Sequence, residues 1–140
     1  MARIRHIALV VKDLEKTADF YEQALGLSRS ELSEGPTARR IYMSDGEVNL
    51  ALLQYKSEVG SGLKEPSSFV GVHHFGFQAE DLKAQQAAIE SAGGQFFFDL
   101  GEEGEEGFER KFKDPNGIIF DVNDTGWVMT SSKKPSKKTK

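Results

Sequence analysis

Two stretches decide the fold: HIALVVKDLEKTADFYEQALG, residues 6–26, and HHFGFQAEDLKAQQAAIESAGG, residues 73–94. They align without a gap when His6 is set on His74. Asp13 then falls on Asp81, Leu14 on Leu82, Ala24 on Ala92 and Gly26 on Gly94. Self-similarity of this kind marks a duplicated supersecondary unit. Each copy opens with period-two alternation, the signature of a strand with one buried face. Ile7, Leu9 and Val11 share one side and His6, Ala8 and Val10 the other; Phe75, Phe77 and Ala79 stand against His74, Gly76 and Gln78. Asp13 and Asp81 follow at the place of an N-cap, and Leu14, Ala18, Tyr21 and Leu25 recur at helical spacing. Gly26 and the pair Gly93 and Gly94 stop the helices.

Outward from these units, strand-like runs at 39–43 and 48–55 are separated by the turn Ser44, Asp45, Gly46. The second half has runs at 95–99, 108–113 and 118–123, interrupted by an acidic GEEGEEG loop and the turn Asp114, Pro115, Asn116, Gly117. Each half therefore reads as strand, helix, then about three strands, an α+β fold of tandem βαβββ modules. The modules occupy about 3–56 and 71–124, with a Gly- and Ser-bearing linker at 57–70, in one domain spanning 1–128. Residues 129–140 lack apolar periodicity and are rich in lysine, and a disordered tail is expected. One helix covers one face of each module's sheet. The two bare faces must pair, making a curved mixed sheet around a central cavity, and His6 and His74 point into it.

The bulk properties narrow the chemistry. At 140 residues and 38% hydrophobic content, one compact core is expected. There is no cysteine, which excludes disulfides, thiolate metal sites and cysteine nucleophiles and leaves His, Asp and Glu as strong ligands. Five of the last eight residues are lysine, so the body is more acidic than the net charge of −4 suggests. An acidic body argues against nucleic acid as a partner. The N-terminus enters a short strand with no long apolar run and no cleavage signal, so neither a membrane span nor export is expected, and the cytoplasm is the expected compartment.

With the repeat in place, RHIALVVKDLEKTADFYEQALGL resembles the first module, and GVHHFGFQAEDL with FKDPNGIIFDV the second, of the vicinal oxygen chelate superfamily, which includes glyoxalases, extradiol dioxygenases, methylmalonyl-CoA epimerases and bleomycin-resistance proteins. The resemblance implies a single divalent ion, Fe, Mn, Zn or Ni, held by residues from the first and last strands of each module. Carried over, these are His6, His74 and Asp121, the last standing where a Glu is usual. The closing strand of the first module, GEVNLALLQY, puts Ala51 at the fourth place, with Asn49 as the same-face alternative. Two imidazoles and a carboxylate suit metals that chelate adjacent oxygens of a small-molecule substrate, and the absent fourth ligand leans slightly toward dioxygenase over lyase or epimerase chemistry. The alternative is a metal-free small-molecule binder or drug-sequestering protein of the bleomycin-resistance type. Ala51 supports it and the histidines oppose it. Paired modules and exposed sheet edges imply a homodimer.

Further candidates follow from strand position. Glu109 is a candidate base and Arg110 a candidate anion clamp. One of Arg39 and Arg40 must face inward, and Arg40, with Tyr42 at the same parity, is the candidate for substrate binding. Asn49, Gln78 and Asn123 are candidate wall residues. His73 by alternation faces away from His74, unless a bulge turns it inward.

Overall fold

The computed structural model describes residues 1–137. The chain runs β1 (Arg3–Val10), α1 (Leu14–Leu25), β2 (Ser28–Arg29), β3 (Ser33–Glu34), β4 (Ala38–Ser44), β5 (Asn49–Tyr55), β6 (Gly71–Gln78), α2 (Leu82–Ser91), β7 (Gln95–Leu100), β8 (Glu109–Lys113) and β9 (Ile119–Asn123). The helices begin where their caps dictate. Asp13 accepts from the Lys16 amide and Asp81 from the Ala84 amide, each at 3.0 Å, and Gly26, at φ 73°, turns the chain out of α1.

Among the described residues the nine strands form one mixed sheet in the order β2-β4-β5-β1-β6-β9-β8-β7, with β3 on β4. The order reads as two copies back to back: β5 runs parallel to β1 and β9 parallel to β6, while β1 and β6 meet antiparallel at the centre. This is the α+β architecture expected from the repeat. Leu14 and Ala18 of α1 pack on Ile41, Met43 and Leu52, and Leu82 packs with Phe108, Phe112 and Val122, giving each half its own core. On the inner face a third cluster is built from small residues, Ala8, Ala38 and Ala51, with Leu53. Short side chains there leave space between the halves.

Two registers slip in the central pair. Arg5 is an extra residue of β1 between the pairs Ile4–Phe77 and His6–Gly76, and His73 is an extra residue of β6 between Ala8–His74 and Leu9–Val72. Each bulge immediately precedes one of the repeat-related histidines. The end of the chain departs from the expectation of disorder. Ser131 donates its amide to Gly46, the Thr130 hydroxyl donates to Trp127, and the Ser132 hydroxyl donates to Gln78. Polar side chains rather than apolar periodicity fasten this segment, so a hydrophobic pattern does not reveal it. Residues 138–140 of the expected tail lie outside the described residues. Among the described residues, no helix is long and apolar enough to cross a membrane.

Candidate metal centre

His6, His74 and Asp121 meet at one point on the inner face, all within 2% of full burial. The two imidazole Nε2 atoms lie 3.3 Å apart, and Asp121 Oδ2 is 3.6 Å from that of His6 and 3.2 Å from that of His74. Four-coordinate ions with bonds near 2.1 Å place neighbouring donors about 3.4 Å apart. The triangle therefore fits one small cation.

The surrounding hydrogen bonds turn lone pairs toward the same point. Asn49 donates through Nδ2 to the Val128 carbonyl, so its Oδ1 accepts from His6 Nδ1 at 2.7 Å. His6 Nε2 then carries a lone pair. On the other side, the Ser61 carbonyl can only accept, which puts a proton on His73 Nε2 at 2.8 Å and leaves His73 Nδ1 to accept from His74 Nδ1 at 2.7 Å. His74 Nε2 is likewise a lone pair. Asp121 Oδ2 is buried with no hydrogen-bond partner. Three lone pairs converging without a proton are costly unless a cation joins them.

Register explains both the ligands and the gap. Gly76 pairs with Asp121 as Ala8 pairs with Ala51, so Ala51 is the repeat counterpart of Asp121 and contributes no donor. Asn49, the other candidate for the fourth place, instead orients His6.

Charge is balanced by Lys111, whose buried ammonium sits 2.9 Å from Asp121 Oδ1 and 3.3 Å from Glu109 Oε1. Burial pulls the lysine down, and attraction to Asp121 and then Glu109 overrides it, so its pKa stands above the ordinary value. Burial raises the Asp121 carboxyl, but His74 and Lys111 outweigh it and hold the group below the usual carboxylate range. Burial pushes the His74 imidazole down to about 3, against the attraction of Asp121, and lowers His73 as well. Both rings are neutral at neutral pH.

The remaining candidates divide by strand parity. Glu109, on the same face as Lys111, accepts from the Trp127 indole at 2.6 Å and lies 4.0 Å from His6 Nε2. Arg40 and Tyr42 line the cavity beside it with Tyr55. That cavity, about 30 Å³, adjoins a cleft of about 270 Å³ that shares Arg40, Tyr42 and Glu109. The Arg40 Nε is buried without a hydrogen-bond partner, and its guanidinium occupies the space beside Gly35 where a Cβ would stand. Tyr42 is held protonated, its pKa raised by burial.

Arg110 is not brought to the site. One residue out of phase with Glu109 and Lys111, it forks onto Asp99 at 2.8 and 3.0 Å and reaches Gln86 and Glu103 on the outer side. Gln78 is engaged by Ser132 and the Asp124 carbonyl in a separate cleft. Asn123 is buried, accepting from Gly126 and donating to Phe108, which fastens the turn leading to Trp127. Trp127, Lys111 and Tyr55 were not singled out from sequence. Lys111 shares the parity of Glu109, which was the available signal; a lone tryptophan after the last strand gave none. The Trp127 ring stacks on His6 with centroids 4.8 Å apart and planes 4° from parallel.

The chain's sequence and fold match those of known proteins. Residues 3–122 match the model of the Glyoxalase/Bleomycin resistance protein/Dioxygenase superfamily. An ethylmalonyl-CoA/methylmalonyl-CoA epimerase of Cereibacter sphaeroides is 27% identical over 97 residues, covering 66% of this chain and 72% of that protein. A solved methylmalonyl-CoA epimerase in complex with methylmalonyl-CoA and NH4+ superposes with a TM-score of 0.68 at 25% identity, covering 96% of this chain and 99% of the other. A variant of the Streptomyces coelicolor methylmalonyl-CoA epimerase bound to 2-nitronate-propionyl-CoA gives 0.67 at 25% identity, over 86% and 94%. The lean toward dioxygen chemistry, drawn from the missing fourth ligand, has no support in these relatives.

Proposed function

The chain belongs to the glyoxalase/bleomycin resistance protein/dioxygenase superfamily, and from that premise we propose that residues 1–128 form a metal-dependent enzyme that moves a proton beside a carbonyl of a small anionic substrate. The reading follows the epimerase activity for which the relatives are named. The observation that carries it is the orphaned Asp121 Oδ2 facing two imidazole lone pairs. His6, His74 and Asp121 would hold the divalent ion, which when bound supplies Lewis-acid polarisation of the substrate's oxygens.

The protein's own groups do the rest. Glu109, fixed by Lys111 and Trp127 at the cavity wall, takes the proton from the carbon next to the carbonyl. The electron pair left behind spreads onto the carbonyl oxygen; the proton on the carboxyl exchanges with solvent before it returns to the carbon, and inversion follows where the planar enolate turns its other face to Glu109 first. Arg40, whose guanidinium has no ion pair among the described residues, grips a carboxylate of the substrate. The Tyr42 hydroxyl, kept protonated, donates a hydrogen bond from the same wall.

The test uses untagged protein. Elemental analysis should find about one divalent ion per chain, lost in the triple variant H6A/H74A/D121A. Incubation with methylmalonyl-CoA in D2O should then exchange the proton between the two carbonyls, followed by proton NMR. Glu109→Gln should slow exchange about 10²- to 10⁴-fold at unchanged metal content. Exchange that survives the triple variant would sink the reading. One observation favours a metal-free binder instead: Lys111 already neutralises Asp121 from the side away from the histidines. Wild-type protein devoid of metal yet binding the thioester would establish that alternative.

We also propose a homodimer. Cross-strand partners share a face, so Ile4, Ile7, Val72 and Phe75 lie together on the outer side of the central pair, with Ile4 and Val72 50% and 63% exposed. Light scattering should give twice the chain mass, and a monomeric mass at micromolar concentration would refute it.

A further inference from the structure

One half-buried histidine has no task in the reaction above. His6 obtains its Nδ1 acceptor from Asn49, its register partner on β5. The same register on β6 and β9 pairs Phe75 with Phe120, which brings Ile119 to the corresponding place beside His74. Ile119 offers no acceptor. The bulge on β6 replaces it with His73, whose Nδ1 lies 2.7 Å from His74 Nδ1 and whose Nε2 lies 2.8 Å from the Ser61 carbonyl.

We propose that His73 is a positioning residue that fixes the tautomer of His74, passing the acceptor character of the Ser61 carbonyl through its ring so that the His74 Nε2 lone pair stays free for a cation. A carbonyl cannot donate, so His73 Nε2 bears the proton. The neutral ring then accepts at Nδ1, and His74 must donate there. Without this acceptor the competitor is Asp121 Oδ2, 3.2 Å from His74 Nε2. It would draw the proton to Nε2 and block the ligand position. The relay also ties the segment joining the modules, through Ser61, to the centre.

The tautomer does not depend on the proposed reaction, although its consequence for metal binding rests on that reading. Two measurements therefore separate the two. In metal-free protein, long-range proton–nitrogen NMR should show His74 protonated at Nδ1 in the wild type and at Nε2 in His73→Phe. With Co(II) as the probe, His73→Phe should bind about 10- to 100-fold more weakly. His73→Asn, whose Oδ1 falls where the histidine Nδ1 does, should stay within a few-fold of wild type. Thermal unfolding of the metal-free variants controls for folding. Finding Nε2–H in the wild type, or equal weakening by Phe and Asn, overturns the proposal. Wild-type protein that binds no Co(II) overturns the metal reading, while the NMR result still decides the tautomer.

Discussion

At the scale of single residues, burial sets the protonation of the centre, and a pH dependence follows. His74 is pushed to about 3, whereas an unfolded imidazole titrates near ~6.5. Between these values the unfolded chain binds a proton that the folded chain refuses. The stability of the metal-free protein should therefore fall as pH drops from about 6.5 toward 3, by up to about 1.4 kcal/mol per pH unit for this ring. His73, lowered in the same direction, adds to the slope. Urea unfolding at pH 7, 6 and 5 measures it, and His74→Gln should make it shallower; an unchanged slope would show that the ring does not contribute. His6, His74 and Asp121 were legible in the sequence because a repeat offset and strand alternation put them on one face. Lys111 was not, because a charged amine is a poor candidate for a core position until its two carboxylates are known.

At the scale of elements, β6 carries both the bulge and a glycine that the site requires. A Cβ at Gly76 would stand 2.8 Å from two atoms of the Trp127 ring and 3.1 Å from the His6 Cβ. An indole stacked on an imidazole cannot yield by that much without leaving its place. Gly76→Ala should destabilise the protein by about 1–3 kcal/mol and shift the emission of its single tryptophan; unaltered fluorescence and stability would contradict the stacking. The helices and longer strands were legible, since caps, stops and periodicity agree. The facing of His73 was not, because alternation counts residues and a bulge inserts one without leaving a mark in composition. The short strands β2 and β3 escaped for a related reason: two residues are too few to show a period.

At the scale of the whole molecule, the segment after β9 closes the structure over both modules. Asn49 reaches the Val128 carbonyl, the Ser44 hydroxyl donates to Met129 at 2.8 Å, and Lys133 pairs with Glu106 at 3.0 Å. A chain ending at residue 128 should lose about 1–3 kcal/mol, from several hydrogen bonds of about 1 kcal/mol each that water replaces in part. Differential scanning calorimetry of the two lengths checks this, and identical melting would mean the contacts contribute nothing. The duplicated plan was readable because both copies kept their caps and glycines. This closure was not, because serine, lysine and proline give the same composition whether they are bound to a surface or free of it.

The three donors face a common point, and that has a practical outcome. Affinity for such nitrogen and oxygen sets rises from manganese to copper whatever the cell supplies. Protein carried through immobilised nickel would leave with nickel in place, and chelator-treated protein would keep whatever trace it met next. An ion found in material that has touched neither would identify the native metal.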